Sequence, residues 1–109
     1  MTDPSAAPPP GSFAVDDAVA AGTRSLLRCR GELDAATAPV LAEALDRLGT
    51  ADVSLDLAEV SFMDSAGVQV IAGVTRRLSA SGGSLDVRAV SPVVERVLVI
   101  TGLDRLITR

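Results

Sequence analysis

Asp64-Ser65 is the place in this 109-residue chain where residue type and position combine into usable chemistry. The pair falls within Val60-Ser61-Phe62-Met63-Asp64-Ser65-Ala66-Gly67, between a strand-like alternation over residues 53–57 and a helix-like run that opens near Ala66. The first N–H groups of a helix have no partner inside it, and the helix dipole adds partial positive charge there. A phosphate is favoured at such a site, so Ser65 is a candidate phosphoacceptor whose modified form its own fold would tolerate. A plainer role competes. Ser and Asp are both preferred helix caps, and position alone points to capping.

The inventory of side chains closes off most other chemistry. There is no histidine, which excludes a Ser-His-Asp triad, a histidine metal site and a histidine pH switch. One cysteine without histidine supplies no transition-metal set. All ten basic residues are arginine, so no lysine exists for a Schiff base or a phosphate loop. A serine nucleophile would lack a base to activate it. The net charge of -4, with no basic cluster beyond Arg76-Arg77, argues against nucleic acid as a direct partner. The expectation is a protein that binds and is acted upon, not an enzyme, with no cofactor of its own.

The elements that must position Asp64 and Ser65 can be traced along the chain. Residues 1–12 are rich in Pro, Ala and Ser and predict a disordered tail, leaving residues 13–109 as one domain. Phe13-Ala14-Val15 predicts a short first strand, followed by a turn near Asp16-Asp17 or Ala21-Gly22. Leu27 and Cys29 alternate with Arg28 and Arg30, a strand with one wet face. A helix follows through Leu48, started by Asp34 or Thr37, with Pro39 near its start, Leu41, Leu45 and Leu48 on one side, and Gly49 closing it. Val53, Leu55 and Leu57 predict a central strand. The second helix follows Ser65 to about Ser79, with Val70, Ile71, Val74 and Leu78 inward. Leu85, Val87 and Ala89 make the last main strand. Ser91 with Pro92 starts a third helix that Gly102 stops. Strands alternating with helices indicate α/β, a small mixed sheet with helices packed on it.

Cellular setting can also be read. No apolar run is long enough to span a bilayer, and the N-terminus lacks the basic start and apolar stretch of a secretory signal. The lone Cys29, set in an apolar alternation, predicts a reduced, buried side chain in a cytoplasmic protein away from membranes.

Residues 56–68, Asp-Leu-Ala-Glu-Val-Ser-Phe-Met-Asp-Ser-Ala-Gly-Val, resemble the phosphorylation segment of the STAS-domain anti-sigma factor antagonists, or anti-anti-sigma factors. Gly31-Glu32-Leu33-Asp34 with Thr37-Ala38 resembles that family's first loop and helix start. Ala89-Val90-Ser91-Pro92-Val93-Val94, then Thr101-Gly102-Leu103, resembles its last helix. The likeness runs from about residue 13 to 107. It departs at Ala66, where many members carry a second Ser or Thr, and at Gln69, where glycine is common.

The resemblance implies a single STAS-like domain that works as a phosphorylation switch. Unphosphorylated, it would bind an anti-sigma factor and free a sigma factor. That partner would be a serine kinase bringing its own ATP and magnesium, phosphorylation of Ser65 would end binding, and a metal-dependent phosphatase would reset it. The contact surface it implies comprises Asp34, Asp64, Ser65, Ala66, Gly67 and Gln69. Plainer readings stand beside these. Asp34 can be a turn or cap residue, Asp64 can complement the helix dipole, Phe62 and Met63 read first as core or half-core, and Arg76-Arg77 as a solvated face. The alternative function is a STAS scaffold or ligand-binding module in a signalling complex, with Ser65 never phosphorylated.

Overall fold

A computed structural model of the protein describes residues 11–108. The expected tail therefore lies outside the described residues except for Gly11 and Ser12. These two already belong to the fold: the Gly11 N–H donates to Glu32 Oε2 at 2.6 Å, and the Ser12 carbonyl accepts the Glu32 N–H at 2.8 Å.

Five strands form one mixed sheet. β1 (Phe13–Val15) and β2 (Val19–Ala21) both pair antiparallel with one edge of β3 (Arg24–Leu33). β3 then pairs parallel with β4 (Asp52–Met63), and β4 pairs parallel with β5 (Ser84–Val90). Three helices connect or follow the parallel strands: α1 (Ala38–Asp46), α2 (Ser65–Ala80) and α3 (Pro92–Ile100). A 3-10 turn over Asp104–Leu106 returns the chain to β5, where the Thr108 N–H donates to the Val87 carbonyl at 2.9 Å.

The apolar alternation decides the register. Leu27, Leu55 and Val87 lie opposite one another across the parallel strands and are buried, as are Val53 and Leu85 one step earlier. Leu41 and Leu45 of α1, Ile71 and Val74 of α2, and Val94 and Leu98 of α3 complete the core. Cys29 is 1% exposed. Burial first, then the carboxylates of Asp56 and Asp16, push its thiol up to about 12, so it stays protonated and serves as an apolar filler. The intervening positions carry polar pairs: Arg24 with Asp86 at 3.2 Å, Arg28 with Asp56 at 3.5 Å, and Arg30 with Asp16 at 3.0 Å.

Several boundaries differ from the sequence reading. β2 was not anticipated, because Val19-Ala20-Ala21 is exposed throughout and has no inward alternation to reveal it. Together β1 and β2 form one interrupted edge, with residues 16–18 set against only two residues of β3. Such a bulged edge resists pairing with another chain. Gly31-Glu32-Leu33 is strand, not loop, and β4 continues six residues past Leu57. Here the bulges matter. Pairing passes from Gly31↔Val60 to Glu32↔Phe62, leaving Ser61 as the extra residue, so period-2 reading fails across the segment. α1 ends at Asp46, with Arg47 as its cap, short of the expected Leu48.

The helix ends obey local rules. Ser91 accepts the Val94 N–H at 3.3 Å and thereby caps α3 ahead of Pro92, as expected. α2 and α3 both close on a left-handed glycine, Gly82 (φ 83°) and Gly102 (φ 78°). The next residue's N–H then reaches back across the helix end, Gly83 to the Leu78 carbonyl and Leu103 to the Leu98 carbonyl.

Candidate functional site

β3 and β4 finish side by side. Leu33 lies opposite Met63, and the Asp64 N–H donates to the Leu33 carbonyl at 3.2 Å. Asp34 and Asp64 therefore leave the same carboxyl end of the sheet from neighbouring strands, the end where open α/β sheets commonly place their functional groups.

Asp64 is the N-cap of α2. It is extended (φ -116°, ψ -168°), and its Oδ1 accepts the Ala66 N–H at 2.9 Å. The aspartate thus takes the capping role that sequence alone left open for the serine. Ser65 occupies the first helical position, is exposed, and makes no side-chain hydrogen bond with the described residues. Its hydroxyl is free at the positive end of a sixteen-residue helix. Ser61 differs: it sits within β4 and gives its hydroxyl to the Gly31 carbonyl over a long 3.4 Å.

Asp34 organises the turn into α1. Its Oδ1 accepts the N–H groups of Ala36 at 3.0 Å and Thr37 at 3.1 Å, while its carbonyl accepts the Ala38 N–H at 2.7 Å. Thr37 stands at the cap position but makes no side-chain cap bond. Its hydroxyl donates to the Glu32 carbonyl at 2.7 Å and accepts the Asp34 N–H at 3.0 Å. The second carboxylate oxygen of Asp34, Oδ2, has no bond to the described residues. Asp34 is thus a turn-former with one oxygen to spare.

The remaining expected residues separate by burial. Gln69 is exposed and stands one turn beyond Ser65, so the two share a face of α2. Ala66 is half-buried against the core, and Gly67 is buried beneath the first turn. Phe62 is 43% exposed near the same end of the sheet, while Met63 is core. Arg77 pairs with Asp46 of α1 at 2.6 Å, whereas Arg76 stays exposed on the Ser65–Gln69 face. The exposed Ala35 and Ala36 of the Asp34 turn were not singled out from sequence, because nothing in their chemistry marks them.

Ser65 and Gln69 are presented at the surface. A hollow of about 410 Å³ lies beside Asp16, Asp17, Val19, Leu26 and Arg28, and another of about 280 Å³ beside Pro92, Val93, Arg96 and Val97. Neither is lined by Asp34, Asp64 or Ser65. Among the described residues no group of His, Cys, Asp and Glu is placed to hold a metal ion. No described helix is long and apolar enough to cross a membrane.

The comparisons agree with this architecture. The model of the STAS domain matches residues 16–109. An anti-sigma-B factor antagonist of Bacillus subtilis (strain 168) is 40% identical over 79 residues, 71% of this chain and 72% of that protein. The crystal structure of an anti-sigma factor antagonist from Mycobacterium paratuberculosis superposes with a TM-score of 0.78 at 26% identity, covering 92% of this chain and 86% of that one. The anti-sigma factor antagonist SpoIIAA in its unphosphorylated form gives 0.71 at 25% identity, covering 89% and 86%. SpoIIAA in the phosphorylated form, a Bacillus cell fate determinant, gives 0.68 at 24% identity over 89% of each chain and compares in fold alone. With the STAS domain matched over residues 16–109 and a 40% identical antagonist covered over 72% of its length, the chain belongs to the STAS-domain family, among the anti-sigma factor antagonists.

Proposed function

We propose that this protein is an anti-sigma factor antagonist switched by phosphorylation of Ser65. In its unmodified state it binds an anti-sigma factor through the surface around Asp34, Asp64, Ser65 and Gln69, and so frees a sigma factor for transcription in the cytoplasm. The anti-sigma factor is also the serine kinase, supplying ATP and magnesium, and a metal-dependent serine phosphatase restores the binding form. Ala66 and Gly67 contribute by packing under that surface.

The observation that carries this reading is the division of labour at the start of α2. Asp64 holds the cap, so the Ser65 hydroxyl is exposed and has no structural task. It can be modified without withdrawing a bond from the fold. The phosphate adds roughly -1.5 to -2 charges at neutral pH. Its interaction with the helix end is worth only about 0.3–1 kcal/mol. Enclosed in an interface beside Asp64 and the open oxygen of Asp34, the same charge meets like charge, which costs several kcal/mol. The interface term is larger, so the partner leaves while the fold stays. The similar match to SpoIIAA in both phosphorylation states supports that conclusion at the level of fold.

The test is phosphorylation by the purified anti-sigma factor with ATP and magnesium, followed by mapping of the phosphate. Modification of Ser65 and loss of the complex are expected. Phosphate on Ser61 with Ser65 unmodified would reassign the site.

A further inference from the structure

Gly67, the third residue of α2, is buried. Its backbone is not in the left-handed region, so conformation does not require glycine here. Space does. A Cβ at this position would stand 2.7 Å from Leu33 Cγ, 2.8 Å from Leu33 Cδ2 and 3.0 Å from Met63 Cγ. Carbon atoms pack best at about 3.5–4.0 Å, so either Leu33 or the first turn of α2 would have to move by several tenths of an ångström. Leu33 is 0% exposed, and close-packed interiors leave a buried side chain little room to turn.

Leu33 directly precedes Asp34, and its carbonyl holds the Asp64 N–H at 3.2 Å. Displacing Leu33 shifts the Asp34 turn, and displacing the helix shifts Ser65. We infer that Gly67 is a positioning residue: its missing side chain sets the spacing between the Asp34 turn and Ser65, so that a partner meets both as one rigid surface. This rests on the proposed role of Ser65 and adds a requirement to it. Phosphoryl transfer depends almost entirely on positioning, and small misplacements of a reacting hydroxyl are costly. A residue that touches neither partner nor phosphate therefore governs both binding and transfer.

The experiment is Gly67→Ala in the full chain. Three readouts apply: affinity for the purified anti-sigma factor, KM and kcat for phosphorylation of Ser65 with ATP and magnesium, and NMR of the Ala36 and Thr37 amides, which report the Asp34 turn. In an open helix this change would raise stability. Here Tm is expected to fall, the Ala36 and Thr37 signals to shift, affinity to drop about tenfold or more, and KM to rise more than kcat falls. Adding Leu33→Ala, which removes both the Cγ and the Cδ2 contacts, should recover affinity and the amide positions in part. The inference is overturned if Gly67→Ala leaves the Ala36 and Thr37 amides and the Asp64 amide, which bonds the Leu33 carbonyl, all in place, whatever happens to affinity. It is equally overturned if the folded double variant recovers nothing. If the unaltered protein neither binds the anti-sigma factor nor is phosphorylated on Ser65, the switch reading fails, and the amide signals still decide the coupling.

Discussion

Ser65 and Asp34 show how far residue type alone can be read. The Asp64-Ser65 pair was legible as a helix start, but not which member caps, because both side chains suit the role. The structure gives the cap to Asp64 and leaves Ser65 idle. Ser65→Ala should therefore change stability by no more than about 0.5 kcal/mol, as for a surface substitution without lost bonds, while anti-sigma factor binding becomes insensitive to the kinase reaction. Asp64→Ala should cost about 1 kcal/mol in a urea titration. Asp34 separates charge from geometry. Asp34→Asn keeps the Oδ1 acceptor for Ala36 and Thr37, so Tm should barely move while partner affinity falls. Asp34→Ala loses the turn as well, and should lower stability by about 1 kcal/mol. Equal affinity per folded molecule in Asp34→Asn and the parent protein would confine Asp34 to its structural role.

At the scale of elements, clear signals and failed signals have physical reasons. Ser91-Pro92 and Gly102 bracket α3 because capping and left-handed termination are local events, written in two or three residues. Gly102→Ala should accordingly cost about 1–2 kcal/mol, seen as a lower urea midpoint with an unchanged slope. The ends of β3 and β4 are not local. Residues 31–33 and 58–63 become strand through pairing with each other across a bulge at Ser61, and a single-chain pattern cannot report its partner's register. This mattered for the site. Only Asp64 separates β4 from α2, so Ser65 is mounted on rigid structure and not within a long loop. The exposed β2 carries no apolar signal for the opposite reason, since it covers an edge of β3 and buries nothing.

At the scale of the molecule, the carboxyl ends of the parallel strands carry the proposed switch, while the opposite half of the sheet carries a polar lock on the C-terminal segment. Asp86 accepts the hydroxyls of Ser54 at 2.5 Å and Thr108 at 2.6 Å and pairs with Arg24. Burial works against its charged form, but the Ser54 and Thr108 hydrogen bonds, with Arg24, outweigh it and hold the carboxyl below its usual value. A depressed folded value means stability that is present above the unfolded carboxylate value, about 3.9, and lost as pH falls through the folded value. Melting curves should decline on acidification below about pH 4, and Asp86→Asn should flatten that decline while lowering Tm at neutral pH. An unchanged acid limb in Asp86→Asn would remove this group from the account. The central claim is that phosphorylation acts locally on a fold that does not change, and one paired measurement tests it most directly: backbone NMR of the unmodified and Ser65-phosphorylated protein, with anti-sigma factor titrations of both. Shifts confined to the turns around Asp34 and Ser65, with affinity lower by at least thirtyfold, or about 2 kcal/mol, are the expected result. Shifts spreading through β3 and β5 at Leu27 and Leu85 would mean a conformational switch and contradict it.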